Sequence, residues 1–306
     1  AKAKCTVNKN ITLYAVQKKA VQLTFHRCDG STWQKTTLAK GSSYSLPGVR
    51  DAEGYTFMGW STKPMQSVSP QYEAEEKITV NGNVDLYAVV FNRTTETDLT
   101  EDQLPQVDIY KYKQVIFVGD SRTEFMENVL TGMGESATKN VKFVCSAGKG
   151  LDWFTTTGWA QLYSIVQHDS NSILSKKTAV IFNFGVNDLS KSADYAEYYN
   201  WIAPQLKSKG CELYFMSVNP VNRLMLPNAG RADRSEAAVR SFNQYMKANL
   251  SSAYTYIDMY SYLKSTGYSF ASDHYGTGTV DDGLHYTTRT YKRIFAKCMD
   301  SLRVPA

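Results

Sequence analysis

A serine, a histidine and an aspartate stand in this chain where a nucleophilic hydrolase would need them. The run Val115-Ile116-Phe117-Val118 ends abruptly in Gly119-Asp120-Ser121. A short, β-branched apolar run reads as a buried strand, and its carboxyl end is where open α/β sheets place reactive groups. Far downstream stands Asp282-Gly283-Leu284-His285. A serine hydroxyl is a poor nucleophile until a base takes its proton. The imidazole of His285, with an ordinary pKa of about 6.5, suits that task. Asp282, three residues earlier, can meet the imidazole Nδ1–H, fix its tautomer and stabilise the imidazolium. The oxyanion formed on attack needs hydrogen-bond donors. The candidates are the Ser121 N–H, the N–H of Gly148 or Gly150 in Ser146-Ala147-Gly148-Lys149-Gly150, and the Asn187 amide in Gly185-Val186-Asn187-Asp188. Both glycines stay open.

Each of these residues has a plainer reading. Ser121 could cap the following helix, and Asn187 could shape a turn. Asp120 and Asp188 read as loop supports that accept backbone N–H groups. Asp281 competes with Asp282 for the orienting role, one residue off the spacing. His274, beside Asp273, is a rival base. Arg122 either contacts substrate or is solvated. The loop 219–233, with Asn222, Arg223 and Pro227, suits a pocket wall, so Arg122, Asn222 and Arg223 are the expected substrate contacts. Trp153, Phe154 and Trp159 either line a sugar face or belong to the core.

The elements that must position these groups follow from pattern. After residue 111, apolar strands at 115–118, 141–145, 178–184, 211–218 and 254–257 alternate with helical stretches at 122–130, 151–166, 193–207, 234–250 and 287–302. That alternation implies a parallel sheet with helices on both faces, and ligands at the carboxyl ends of its strands. Ser121, the two glycines and Asn187 then fall after the first, second and third strands.

The first 91 residues read differently. Val21–His26, Thr56–Trp60 and Val84–Val90 are short strands separated by turn signals such as Pro47-Gly48 and Gly54. Asn10-Ile11-Thr12-Leu13-Tyr14-Ala15-Val16 echoes Asn83-Val84-Asp85-Leu86-Tyr87-Ala88-Val89, so residues 1–19 read as the end of a truncated repeat in a longer parent. Residues 92–110 are polar and acidic around Thr94–Asp102 and read as a linker. Residues 20–91 and 111–306 are then the two domains. Phe57, Trp60 and Tyr87 read as core.

Composition narrows the function classes. The chain has 306 residues, enough for two domains, and is 42% hydrophobic and 21% charged with a formal net charge of +5. Its Lys and Arg are scattered, which argues against nucleic-acid binding and leaves weak attraction to an anionic polymer open. No apolar run nears the roughly 18–20 residues that span a bilayer. Ala1-Lys2-Ala3-Lys4-Cys5 lacks the apolar core of a signal peptide, which does not argue for the cytoplasm. Five widely spaced Cys and four His form neither Cys-x-x-Cys nor His-x-x-x-His, so neither a metal nor an organic cofactor is expected. Cys5 and Cys28 could pair, although nothing requires it.

Two resemblances attach to these motifs. Gly54-Tyr55-Thr56-Phe57-Met58-Gly59-Trp60-Ser61, followed by Ile78–Val89, resembles the internalin-type B-repeat (Listeria–Bacteroides repeat), which implies a small β-grasp-like module on bacterial cell-surface proteins. Gly119-Asp120-Ser121, Gly185-Val186-Asn187-Asp188 and Asp282-Gly283-Leu284-His285, in that order, resemble the SGNH (GDSL-like) hydrolase family. That resemblance implies a flavodoxin-like three-layer α/β/α sandwich and ester hydrolysis. The expected protein is an exported or surface-bound bacterial serine esterase acting on O-acyl, chiefly O-acetyl, esters of a carbohydrate or cell-wall glycan. Two alternatives stay open: an adhesive or spacer protein with a secondary or inactive hydrolase domain, and an O-acyltransferase using the same three residues.

Overall fold

A computed structural model of the chain describes residues 12, 18–108, 111–168, 177–230, 232–271 and 281–302. Of the first copy of the internal echo, only Thr12 is among them; Cys5, Asp273 and His274 lie outside the described residues.

The amino-terminal part is built on six strands: β1 (Ala20–His26), β2 (Thr32–Ala39), β3 (Ser42–Ser45), β4 (Tyr55–Ser61), β5 (Lys77–Val80) and β6 (Val84–Asn92). Four make a sheet in the order β2-β1-β6-β4, while β3 and β5 pair by themselves. β1 and β6 run parallel, and both outer pairings are antiparallel. The apolar residues Leu23, Phe25, Phe57, Trp60 and Leu86 turn inward to form a small core. Trp60 is fully buried and its indole N–H donates to the Pro47 carbonyl at 2.8 Å, so its one polar atom is satisfied. Tyr87 instead stacks on His26, with ring centroids 4.5 Å apart.

The carboxy-terminal part is a five-stranded parallel sheet. Its strands are β7 (Tyr112–Gly119), β8 (Val141–Cys145), β9 (Lys177–Asn183), β10 (Cys211–Met216) and β11 (Tyr254–Ile257), in the order β11-β10-β9-β7-β8. Every neighbouring pair is parallel. Along β7, Val115 and Phe117 face one core while Ile116 and Val118 face the other. That two-residue alternation, apolar on both faces, is the signature of a strand covered on both sides. One face carries α1 (Ser121–Met133) and α7 (Thr288–Ser301). The other carries the stretch α2 (Leu151–Trp153), a π-helical turn (Phe154–Gly158) and α3 (Trp159–His168), together with α4 (Ser192–Lys207) and α5 (Glu236–Asn249). A short helix, α6 (Met259–Thr266), follows β11. Phe154 is buried in the second core, with Trp153 and Trp159 packed partly buried against it. The architecture is the flavodoxin-like α/β/α sandwich, and the strand order reverses between β7 and β9.

The two parts share a core. Met58, Val89 and Phe91 of the β-rich part, and Leu104 and Val107 of the connecting segment, belong to the same buried cluster as Phe117, Tyr286 and Phe295. Polar ties reinforce it. The buried Lys264 ammonium donates to the Met58 carbonyl at 2.8 Å and pairs with Glu73 at 2.8 Å and Glu236 at 3.1 Å. Arg240 donates to the Ala74 carbonyl at 2.9 Å. Buried Glu96, in the connecting segment, accepts from Ser269 at 2.6 Å and pairs with Arg293 at 3.0 Å. Because the cluster is continuous, the two parts are expected to unfold together. Urea denaturation should give one cooperative transition, and Phe91→Ala should lower the stability of the whole chain by about 3–5 kcal/mol.

Candidate active site

The site begins at the end of β7. Gly119 has no room for a side chain: a Cβ there would overlap Thr123 Oγ1 and lie 2.8 Å from the Asn183 carbonyl oxygen. The chain can therefore turn tightly from strand to helix. Asp120 is the N-cap of α1, its carboxylate accepting from the Arg122 N–H at 3.0 Å. The capping role thus falls to Asp120, and Ser121 is the first helical residue, 5% exposed.

His285 approaches from the loop before α7. Its Nε2 lies 2.9 Å from Ser121 Oγ, and its Nδ1 lies 2.6 Å from Asp282 Oδ2. Paired with a carboxylate, Nδ1 carries the proton, which leaves Nε2 free to accept from the serine hydroxyl. The second Asp282 oxygen, Oδ1, accepts from the Leu284 N–H at 2.9 Å and the His285 N–H at 2.8 Å. The Phe125 ring meets the imidazole edge-on, at 4.4 Å between centroids. The His285 carbonyl accepts from the Ala271 N–H at 3.0 Å. The imidazole is thus held on its ring, its backbone and both nitrogens. Asp281 does not compete: its carboxylate turns to Arg93 and to the Gly283 N–H.

Sheet order sets the remaining loops around Ser121. β8 and β9 flank β7, so the loop 146–150 lies on one side of the serine and the loop 184–188 on the other. The two loops are tied together. Asn187 Nδ2 donates to the Lys149 carbonyl at 2.8 Å. Asp188 accepts from the Leu151 N–H at 2.9 Å and from the Tyr195 hydroxyl at 2.7 Å. Gly148 and Gly150 both lie on this tied segment.

The three residues expected at the substrate all have partners within the protein. Arg122 is neither solvated nor at a binding surface. It is 2% exposed, and its guanidinium donates to the carbonyls of Leu284 at 3.0 Å, Asn219 at 2.9 Å and Pro220 at 2.9 Å. It pins the His285 loop to the loop after β10. Asn222 donates to the Val49 carbonyl at 3.1 Å and to Asp51 at 2.7 Å. Arg223 forms a two-pronged pair with Asp233 at 2.6 and 2.7 Å. Both are engaged with protein groups at the junction of the two parts.

Sequence reasoning also missed Arg234. Its Nη2 donates to Asn187 Oδ1 at 2.8 Å and its Nε to the Val186 carbonyl at 2.6 Å, which fixes how the Asn187 amide faces. A lone arginine in a polar loop before α5 carries no local signal of that task.

Electrostatics separates the two aspartates of the site. Burial pushes the Asp282 carboxyl up, but the hydrogen bond and charge of His285, with the two backbone N–H groups, outweigh it and hold the carboxyl below its ordinary value. Burial dominates at Asp120, whose carboxyl is pushed up to about 6 despite Arg122 nearby. Among the described residues, no group of three or more His, Cys, Asp or Glu could hold a metal ion, and no helix is long and apolar enough to cross a membrane.

Residues 115–298 match the family described as GDSL-like Lipase/Acylhydrolase, and residues 22–89 match the Listeria-Bacteroides repeat domain. The chain belongs to the GDSL-like lipase/acylhydrolase family, with a Listeria–Bacteroides repeat in front of the hydrolase domain. No curated protein matches it. Among solved structures it is similar to the acetyl xylan esterase AlAXEase, at 12% identity over 62% of this chain and 100% of that one, with a TM-score of 0.41. It is also similar to the C-terminal catalytic domain of peptidoglycan O-acetyltransferase A from Streptococcus pneumoniae (16% identity, 62% and 92% of the chains, TM-score 0.37). The YXIM protein of Bacillus subtilis is similar over 93% of this chain and 98% of that one, at 14% identity and a TM-score of 0.39.

The raised Asp120 carboxyl has a definite sign. The folded chain holds that proton more tightly than the unfolded chain does, so ionised Asp120 costs stability as pH rises from the ordinary carboxylate range through about 6. Asp120→Asn removes the titration. Relative to the unsubstituted chain, this variant should gain up to about 3 kcal/mol between pH 4 and pH 7, read from urea unfolding at each pH.

Proposed function

We propose that the chain is a serine esterase that hydrolyses O-acyl esters through Ser121, His285 and Asp282. The observation that carries this reading is the unbroken line from Ser121 Oγ to His285 Nε2 at 2.9 Å and from His285 Nδ1 to Asp282 Oδ2 at 2.6 Å. In the proposed reaction Ser121 Oγ attacks the ester carbonyl carbon while its proton passes to His285 Nε2. The carbonyl electron pair moves to oxygen, where the Ser121 N–H, the N–H of Gly148 or Gly150 and the Asn187 side-chain amide receive the charge. The intermediate collapses, the C–O bond to the leaving alcohol breaks, and His285 gives that oxygen its proton. A water then attacks the acyl-enzyme, with His285 first taking and then returning a proton, and the free acid leaves. Asp282 keeps the imidazole in one tautomer and stabilises the imidazolium. No metal or organic cofactor takes part in this scheme.

The proposed substrate is an acetylated carbohydrate or cell-wall glycan, met outside the cell or at its surface. Two features support it: the Listeria–Bacteroides repeat that precedes the hydrolase domain, and the hydrophilic composition of the chain.

Turnover of p-nitrophenyl acetate tests the reaction. Ser121→Ala should lower kcat by about 10⁴-fold or more, and equal rates for the two proteins would overturn the proposal. Asn187→Ala should lower kcat by about 10²–10³-fold. Acetate release from acetylated glycans, set against cleavage of long-chain aryl esters, checks the substrate class; preference for the long chains would contradict it.

A further inference from the structure

A closed circuit of polar groups runs from the repeat into the loop that carries Asp282 and His285. Asp51, in the turn before β4, accepts from the Phe57 N–H at 2.9 Å and from Asn222 Nδ2 at 2.7 Å through its Oδ1. Its Oδ2 accepts from Arg93 Nη2 at 2.6 Å. The same Arg93 nitrogen donates to Asp281 Oδ2 at 2.6 Å. The other Asp281 oxygen accepts from the Gly283 N–H at 3.1 Å. The Gly283 carbonyl accepts from the Asn222 N–H at 2.8 Å, which closes the circuit.

Asp282 lies between two members of this circuit, Asp281 and Gly283. The loop has little freedom to relax if one tie is cut. Gly283 stands at φ +65°, where side chains rarely go, and a Cβ there would overlap the Asn222 carbonyl and come within 2.6 Å of Met225 Cβ. Arg93 holds more than Asp281. Its Nε donates to Thr56 Oγ1 at 2.9 Å and its Nη1 to the Phe270 carbonyl at 3.5 Å, next to Ala271, whose N–H holds the His285 carbonyl. One guanidinium thus bridges two carboxylates, one from each part of the chain, that would otherwise repel.

We propose that the repeat is a fixed part of the active site, and that Asp51, Arg93 and Asn222 are positioning residues that hold the Asp281–His285 loop so that Asp282 and His285 meet Ser121 in register. This rests on the serine-hydrolase reading above. None of the three positioning residues is bonded to Ser121 or His285, so their effect passes through the loop. Such an effect falls on the chemical step, because a misaligned imidazole still allows substrate to bind.

The test uses the full chain and p-nitrophenyl acetate, with far-UV circular dichroism and the unfolding midpoint recorded for each variant. Arg93→Met should lower kcat by about 10–100-fold while KM changes by less than about threefold. Arg93→Lys, which keeps the charge, should restore part of kcat. Asp51→Asn, an isosteric change wholly within the repeat, should lower kcat in the same direction. Combining it with Arg93→Met should add little, because the two act on one circuit. If Arg93→Met does not fold, Asp51→Asn and Asp281→Asn decide the question. Folded variants with unchanged kcat would overturn the positioning role, even if their unfolding midpoints fall. Ser121→Ala separates the two readings: turnover that survives it overturns the serine mechanism and the positioning role with it. Turnover lost in Ser121→Ala but equal in wild type and Asp51→Asn overturns the positioning role alone.

Discussion

The hydrogen bond between the buried Asp282 carboxylate and His285 is the interaction on which the rest of the site depends. A carboxylate removed from water is costly unless its oxygens are satisfied. Asp282 is fully buried, and among the described residues three donors meet it: the Leu284 and His285 N–H groups on one oxygen and the imidazole on the other. Those three bonds fold residues 282–285 into a single rigid turn. The imidazole then has one allowed tautomer and one direction in which to point, toward Ser121.

The sheet performs the complementary task. Parallel strands end on one edge, and the strand order reverses there between β7 and β9, the position where open α/β sheets bind ligands. Ser121 sits at that reversal, with the glycine loop after β8 on one side and the Asn187 loop on the other. The loops are then locked to each other rather than only to the strands: Asn187 to Lys149, Asp188 to Leu151, and Arg122 to three carbonyls on two further loops. Electrostatic catalysis of the proposed kind needs donors fixed before charge develops, and this cross-bracing supplies that fixity.

Much of this is readable in the amino-acid sequence, and the exceptions have physical reasons. The strands that became β7, β8, β9, β10 and β11 are apolar runs covered on at least one face, so hydrophobicity alone marks them. The Gly-Asp-Ser turn and the Asp-x-x-His spacing are local, so Ser121, Asp282 and His285 stand out in the sequence as candidates for the proposed chemistry. β2 is different. Thr32–Ala39 is polar and largely exposed on both faces, which leaves no periodicity to detect. The roles of Arg122, Asn222, Arg223 and Arg234 are long-range. An arginine beside a nucleophile and an arginine in a loop look alike in sequence, yet one is buried against three carbonyls and the other forms an exposed pair. The polar stretch after Asn92 reads as a linker because of its composition. Its Glu96, Leu104 and Val107 are nonetheless buried: Glu96 is bonded to Thr290 and Arg293 of α7, nearly two hundred residues away, and Leu104 and Val107 join the core that the two parts share.

The central claim is that Asp282, through His285, makes Ser121 nucleophilic. It is tested most directly by reaction with phenylmethylsulfonyl fluoride, in which the serine oxygen displaces fluoride from sulfur, followed by peptide mass spectrometry. The account predicts one label per chain, on Ser121, formed at least about 10²-fold more slowly in Asp282→Asn. Labelling on another residue, or equal rates in the two proteins, would contradict it.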